Sequence, residues 1–206
     1  LDDPSKPMVV SISYNTDLMA MENIIPVTSR WIEFAKLQKN MRIEIRTKSA
    51  LFSAIKEIEV SENVILSWTL SPLEICEKYE STAPPLHLRL KSLKHALESG
   101  WPVRLCIDPV LFVNGWEEIY DRFIDMVFQE IKGEQLLDVT LGVFRMNKDY
   151  FKRIKKREIK SDLFYSDYAI ESNIVTIPIN QRESGLSYLK NRIVNHVSLD
   201  RILIWG

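Results

Sequence analysis

The chain has 206 residues, 46% of them apolar and 27% charged, the composition of a globular protein with room for one sizeable domain or two small ones. Its 27 Lys+Arg against 28 Asp+Glu give a formal net charge of -1, which excludes a strongly basic, histone-like binder while leaving room for a local basic strip. Two cysteines, Cys76 and Cys106, exclude a disulfide framework and a thiolate-only metal site in these residues. No apolar run approaches the length of a membrane span and no secretory leader opens the chain at Leu1, so no membrane association and a reducing, cytoplasmic setting are expected.

In chain order, β-branched runs alternate with helical stretches. Strands are expected over residues 8–14, 41–48, 64–70, 103–110 and 139–145. Helices over 29–39 and 50–58 fill the first two gaps. Ser71-Pro72-Leu73-Glu74 has the form of a capping box, with Ser71 at the N-cap and Pro72 at the first helical position. A helix over 85–99 is stopped by Gly100. Asn114-Gly115-Trp116-Glu117 caps a helix whose apolar positions Ile119, Phe123, Ile124, Val127 and Ile131 recur at helical spacing. Asn147 can cap a helix over 150–156. Beyond Lys160 the pattern weakens: 161–181 reads as irregular with a short strand at 174–177, followed by a helix over 187–197 and a strand over 201–205. The division expected is a barrel-like part, 1–160, and a carboxy-terminal extension, 161–206, packing on it. Successive strand–helix units without Gly-rich hairpin turns imply a mostly parallel sheet.

The strands are not apolar on both faces, as a doubly wound sheet requires. Arg42, Glu44, Arg46 and Lys48 share one face of their strand and Ile43 and Ile45 the other. Arg104, Cys106 and Asp108 lie opposite Val103, Leu105 and Ile107, and Ser67 and Thr69 share a face. Unpaired buried charge is too costly to press against helices. The polar faces therefore predict a curled sheet, a barrel or part-barrel with a functional interior.

Lys48 ends its strand where parallel α/β proteins keep their sites; it can hold a carboxylate or ribose hydroxyl, or stand as a solvated strand end. Glu44 and Arg46 read as a lumen ion pair or as ligand contacts. Asp108, at another strand exit, orients a cation or an arginine, or serves as a turn residue. Tyr14 reads as a radical or proton relay, or as a packed aromatic, and Asp17 as a turn residue. His87, His95 and His196 are too scattered to share a metal. Cys76 and Cys106 read as structural. There is no nucleophilic triad, phosphate loop or HExxH. The run from Lys148 to Lys160 places Lys148, Lys152, Arg153, Lys155, Lys156 and Arg157 on a helix beside Tyr150 and Phe151, suited to tracking a phosphate backbone or to plain solvation.

Ser13-Tyr14-Asn15-Thr16-Asp17, the strand from Arg42 to Lys48, Leu66-Ser67-Trp68-Thr69-Leu70-Ser71-Pro72, Gly100-Trp101-Pro102-Val103, Ile107-Asp108-Pro109 and Gly115-Trp116-Glu117 follow one another in an informative order. Over roughly residues 9–166 this series resembles the spore photoproduct lyase family of radical S-adenosylmethionine (SAM) enzymes. The resemblance implies a partial, TIM-like (β/α)6 barrel in which the leading strands here are the second to sixth. The first β/α unit would precede Leu1 and carry the CxxxCxxC ligands of a 4Fe–4S cluster. It implies reductive cleavage of SAM to a 5'-deoxyadenosyl radical acting on a DNA lesion or modified base, with an electron donor such as flavodoxin or ferredoxin. Tyr14 stands where the spore enzyme carries its hydrogen-donor cysteine, which makes it the catalytic candidate. Asn15, Lys48, Ser67 and Thr69 match positions near SAM, and Asp108 joins them as a lumen residue at a strand exit. Lacking CxxxCxxC, the 206-residue chain alone is expected to be inactive; a longer protein carrying the motif would be a lyase of the DNA-repair type. The alternatives are a non-enzymatic nucleic-acid- or protein-binding remnant of that fold, and an unrelated TIM-like enzyme fragment.

Overall fold

Two-residue alternation decides how the strands sit. In β2 (Met41–Thr47), β3 (Val64–Thr69), β4 (Val103–Val110) and β5 (Asp138–Val143), the apolar members Ile43, Ile45, Val64, Leu66, Trp68, Val103, Leu105, Val139, Leu141 and Val143 are fully buried on one face. Burying each is worth about 1.5–3 kcal/mol. The computed structural model describes residues 8–13 and 16–205. In it β1 (Met8–Ser11) and β9 (Ile202–Trp205) join these four in one sheet of order β1-β2-β3-β4-β5-β9, parallel throughout. The sheet curls into a half-barrel, the expected α/β partial-barrel class. Because β9 pairs with β5, the carboxy-terminal strand lies at the edge opposite β1 and does not close the barrel.

Helices cover the apolar face. α1 (Val27–Lys36) turns Thr28, Ile32 and Ala35 inward at helical spacing. It starts two residues before the expected Ser29 because the Glu22 carboxylate accepts from the backbone N–H of Thr28 (2.7 Å) and of Ser29 (3.1 Å). α3 (Leu86–Glu98) ends as expected at Gly100, whose φ of +85° suits glycine. α4 (Trp116–Glu130) buries Tyr120, Phe123, Ile124 and Val127, and Asn147 caps α5 (Lys148–Arg157) by accepting from Asp149 and Tyr150.

Several local expectations give way. The helix expected over 50–58 is a single 3-10 turn, Phe52–Ala54. The Thr47 and Ser49 hydroxyls accept from the backbone of Ser49 and Leu51, which competes with helix formation. The capping box does not form: α2 (Leu73–Tyr79) begins after Pro72, which is extended with ψ 151°, and the Ser71 hydroxyl donates to Glu80 instead. The last helix, α6 (Ile179–Ile193), starts eight residues before the expected Ser187, directly after Pro178. The stretch read as irregular holds a second strand beside the one expected at 174–177. β7 (Ala169–Glu171) and β8 (Ile174–Thr176) form a hairpin, and β6 (Arg145–Asn147) joins β8 to make a small antiparallel sheet. The hairpin turns at Ser172 and Asn173, with φ of +46° and +69°, so no glycine marked it. Among the described residues no helix is long and apolar enough to cross a membrane.

One charge lies wholly inside the helical layer. Arg89 of α3 is fully buried, with Nη1 2.5 Å from Glu80 Oε2 and Nε donating to the Pro84 carbonyl at 2.6 Å. Arg89→Ala is expected to lower the free energy of unfolding by about 3 kcal/mol. That is the low end for breaking a buried pair, because Lys48 still faces Glu80 at 2.7 Å. Urea denaturation followed by tryptophan fluorescence checks this, and adding Glu80→Gln to Arg89→Ala should restore part of the loss.

Candidate functional site

The concave face of the half-barrel carries charges in strict alternation. Arg104 of β4 holds Asp138 of β5 through two bonds of 2.5 and 2.8 Å, and donates to Glu44 of β2 at 3.1 Å. Glu44 lies 4.0 Å from Arg46, and Arg46 donates to Asp108 of β4 at 3.1 Å. Arg145 of β6 closes the series with bonds of 3.0 and 2.9 Å to both Asp108 oxygens. Three acids and three arginines thus neutralise one another across the curl. Links from β2 to β4 pass over β3, where Ser67 contributes a hydroxyl donating to Glu44 at 2.8 Å. Gly142 of β5 makes the Asp108–Arg145 contact possible: a Cβ there would lie 2.7 Å from Asp108 Oδ1 and 2.9 Å from Arg145 Nη1.

The electrostatics follow the geometry. Burial alone would push Glu44 up, but the Ser67 hydroxyl and the Arg104 and Arg46 guanidiniums outweigh it and hold the carboxyl below its ordinary range. Arg104 is held above its ordinary range: burial opposes the charge, and the bonds to Asp138 and Glu44 overcome it. Cys106 sits among these charges, fully buried; burial pushes its thiol up to about 12, so it stays protonated.

Above this network, at the carboxyl ends of the strands, opens a cleft of about 540 Å³ lined by Ser13, Asp17, Arg46, Lys48, Thr69, Asp108 and Arg145, with Phe144 and Met146 on one wall. Ser13 fastens β1 to β2 by donating to the Arg46 carbonyl at 2.8 Å and accepting from the Arg46 N–H at 2.6 Å. Asp17, read from sequence as a turn residue, accepts from the Thr47 hydroxyl and the Lys48 N–H, both at 2.7 Å, and so pins the loop after β1 to the end of β2.

Of the residues expected at a site, Lys48, Thr69 and Asp108 line this cleft. Ser67 lies below it, fully buried against Glu44. Tyr14 and Asn15 fall outside the described residues. The Lys48 ammonium turns to Glu80 rather than to Glu44. Glu80 also meets Arg89 and Ser71; burial would push its carboxyl up, and Lys48 and Arg89 hold it low instead. Glu80, Asp138 and Arg145 were not among the expected site residues. Glu80 directly follows α2, after Glu74 and Glu77, with no distinguishing spacing, and Arg145 reads as the end of β5 when it begins another strand.

The cysteines do not suit a cluster. Cys76, on α2, has its thiol pushed up by burial and donates to the Ser71 carbonyl, while Cys106 is on β4. Among the described residues no group of three or more His, Cys, Asp or Glu side chains can hold a metal ion. The described residues therefore do not fit a 4Fe–4S cluster.

Glu44 and Glu80 make stability acid-sensitive. Both have folded pKa values below the ordinary glutamate value of about 4.3, so their contribution is complete above that value. As pH falls below it, the unfolded chain takes up protons first, and stability declines until the folded carboxyls protonate too. Urea midpoints are expected to fall across this window, and Glu44→Gln should flatten the acid limb while lowering stability at neutral pH.

A family model described as spore photoproduct lyase matches residues 6–173. The uncharacterized protein ORF301 of Acidianus two-tailed virus is 28% identical over 144 residues, 66% of this chain and 47% of its own length. A solved spore photoproduct lyase mutant superposes with a TM-score of 0.86 at 13% identity, covering 98% of this chain and 62% of that one. Another lyase mutant, with bound AdoMet and dinucleoside spore photoproduct, gives a TM-score of 0.87 at the same identity and coverage. The chain thus spans about half the length of the curated relative and 62% of the solved lyases, and at this identity the superposition establishes the fold. With most of its length inside the family's pattern, this chain belongs to the spore photoproduct lyase family.

Proposed function

We propose that the cleft at the mouth of the half-barrel binds SAM, and that the chain is part of a radical SAM protein acting on a DNA lesion or modified base. The observation that carries this reading is the convergence of Lys48, Thr69, Arg46 and Asp108 at the carboxyl ends of parallel strands, in a chain of this family. The cleft has the volume of a small-ligand site. Its donor set suits a zwitterionic, sulfonium-bearing nucleoside. Lys48 offers donors to a carboxylate or ribose hydroxyl, Thr69 a hydroxyl, and Asp108 the acceptor capacity left after Arg46 and Arg145 have oriented it. In a longer protein carrying the cluster, one electron passed to the sulfonium would split SAM into methionine and a 5'-deoxyadenosyl radical, which would take a hydrogen atom from the substrate. Arg46 and Arg145 hold Asp108 in place, Glu80 holds Lys48 at the rim, and Tyr14, beyond β1, is the residue this reading assigns to hydrogen donation. A one-electron donor such as flavodoxin or ferredoxin belongs to the same reading.

The alternative, a non-enzymatic nucleic-acid- or protein-binding member of the same fold, is favoured by the two cysteines, both buried with raised pKa values and lying on different elements.

Saturation-transfer NMR with SAM tests both. Weak transfer from the chain to SAM is expected, and in a longer protein carrying the cluster Lys48→Ala should weaken binding by about 1–3 kcal/mol, the scale of one charge-assisted hydrogen bond and the partner it leaves. That is roughly 5- to 150-fold in Kd. Circular dichroism should show the fold retained, since Arg89 continues to hold Glu80. Equal affinities would remove Lys48 from the site. Absence of transfer, with nucleic-acid binding intact, would favour the alternative.

A further inference from the structure

The basic helix α5 is not uniformly solvated. Lys148, Lys152 and Lys155 recur at positions that place them on one face, and together they line a second cleft, of about 310 Å³, between α5 and the β7–β8 hairpin. Its apolar lining includes Phe151, Phe164 and Tyr168, whose rings pack at 5.4 Å from Phe151 to each of the other two. The backbone of Lys148 donates to the Asn173 carbonyl at 2.9 Å, which fastens the start of α5 to the hairpin turn. Among the described residues no carboxylate pairs with these three ammoniums; the Lys155 ammonium lies 4.1 Å from the centre of the Tyr165 ring. Three of the acids on the surrounding segments are already engaged elsewhere: Asp162 with Lys78 at 2.6 Å, Glu171 with Arg182 at 3.3 Å, and Glu158 with Arg157 at 2.8 Å.

This cleft shares a wall with the mouth of the half-barrel. Phe144 lines the mouth and packs at 5.1 Å on Tyr168, which lines the second cleft. Arg145 and Met146 of β6 line the mouth, and the chain runs directly from them through Asn147 to Lys148. Three residues of extended chain cover about 10 Å. Three ammoniums without carboxylate partners among the described residues, joined to the mouth by an aromatic wall, suit a ligand that is anionic along its backbone and flat in its side groups.

We propose that the α5–hairpin cleft is a second nucleotide seat, which holds the single-stranded nucleic acid flanking the unit presented to the mouth. The lysines take phosphates, and the Phe151–Phe164–Tyr168 floor takes a base or sugar. The inference rests on the nucleic-acid reading above and adds to it a place and a strandedness. A single strand fits because a base treated within the mouth of the half-barrel must leave the stack. An acidic protein segment would meet the same lysines but would have less use for the aromatic floor.

The test is fluorescence anisotropy of the 206-residue chain with a short labelled oligothymidylate, titrated over a range of salt. Each phosphate contact contributes about 0.7 to the salt slope for single strands, so neutralising all three lysines to Gln should lower the slope by about 2 and weaken binding about 100-fold near 0.1 M salt. A charge-matched control, Lys156→Gln with Arg157→Gln and Lys160→Gln, changes residues outside the cleft and should weaken binding far less. Equal losses in the two triple variants would overturn the seat in favour of general charge. Binding retained in the cleft variant but lost in Arg145→Gln would overturn it while leaving the nucleic-acid reading standing. No oligonucleotide binding by the unaltered chain would overturn both. Binding of poly-glutamate as tight as that of the oligonucleotide would overturn the seat and assign the cleft to an acidic protein.

Discussion

A half-barrel must put something on its concave face, and here that something is charge. Six ionised side chains under the mouth would be prohibitive singly, because each loses hydration that no apolar neighbour restores. Arranged as Asp138, Arg104, Glu44, Arg46, Asp108 and Arg145, they cost far less, since each of the four inner members meets two of opposite sign. The curl is what lets β2 reach β4 across β3, and the network in turn holds the curl. Small residues are part of the same constraint: Ser67 supplies a hydroxyl to Glu44, and Gly142 leaves room for Arg145 on Asp108.

The convex face obeys the opposite rule, and the two together explain how much could be read beforehand. Alternation in β2, β3 and β4 was legible because charged and β-branched residues exchange every second position, and it led correctly to a curled parallel sheet with Glu44, Arg46 and Asp108 inside. Strand β4 was legible to the residue. What failed were features set by single local hydrogen bonds. Ser49 and Thr47 spend their hydroxyls on turns and shorten an expected helix, and Ser71 spends its hydroxyl on Glu80 instead of a cap. Strand β8 falls within the strand expected at 174–177, but its hairpin partner β7 was illegible, because Ser172 and Asn173 adopt the left-handed conformation usually given to glycine and a strand of three residues carries almost no periodicity. The Glu80 hub was illegible for another reason: its partners Lys48, Ser71 and Arg89 come from three separate elements, and only the fold brings them together.

The functional reading follows from where the charge network stops. Its last members, Asp108 with Arg46 and Arg145, sit at the floor of the mouth, and Lys48 is held at the rim by the partly buried Glu80 carboxylate. A rigid, self-neutralised floor under a cleft of mixed donors and acceptors is preorganised: a ligand arriving there does not have to pay for ordering the groups that meet it. The fold family supplies the identity of the ligand in the proposal, and the mouth supplies the groups.

The concave face is one coupled network rather than a set of independent pairs. A double-mutant cycle on Arg104 and Glu44 tests it most directly, with unfolding free energies measured by urea denaturation at neutral pH. Arg104→Met should cost about 3–5 kcal/mol, because it strands both Glu44 and Asp138. Glu44→Gln in the Arg104→Met background should then cost much less than it does in the unaltered chain, with a coupling energy within about 0.5–3 kcal/mol. Additive losses, or an Arg104→Met variant as stable as the original, would contradict the account.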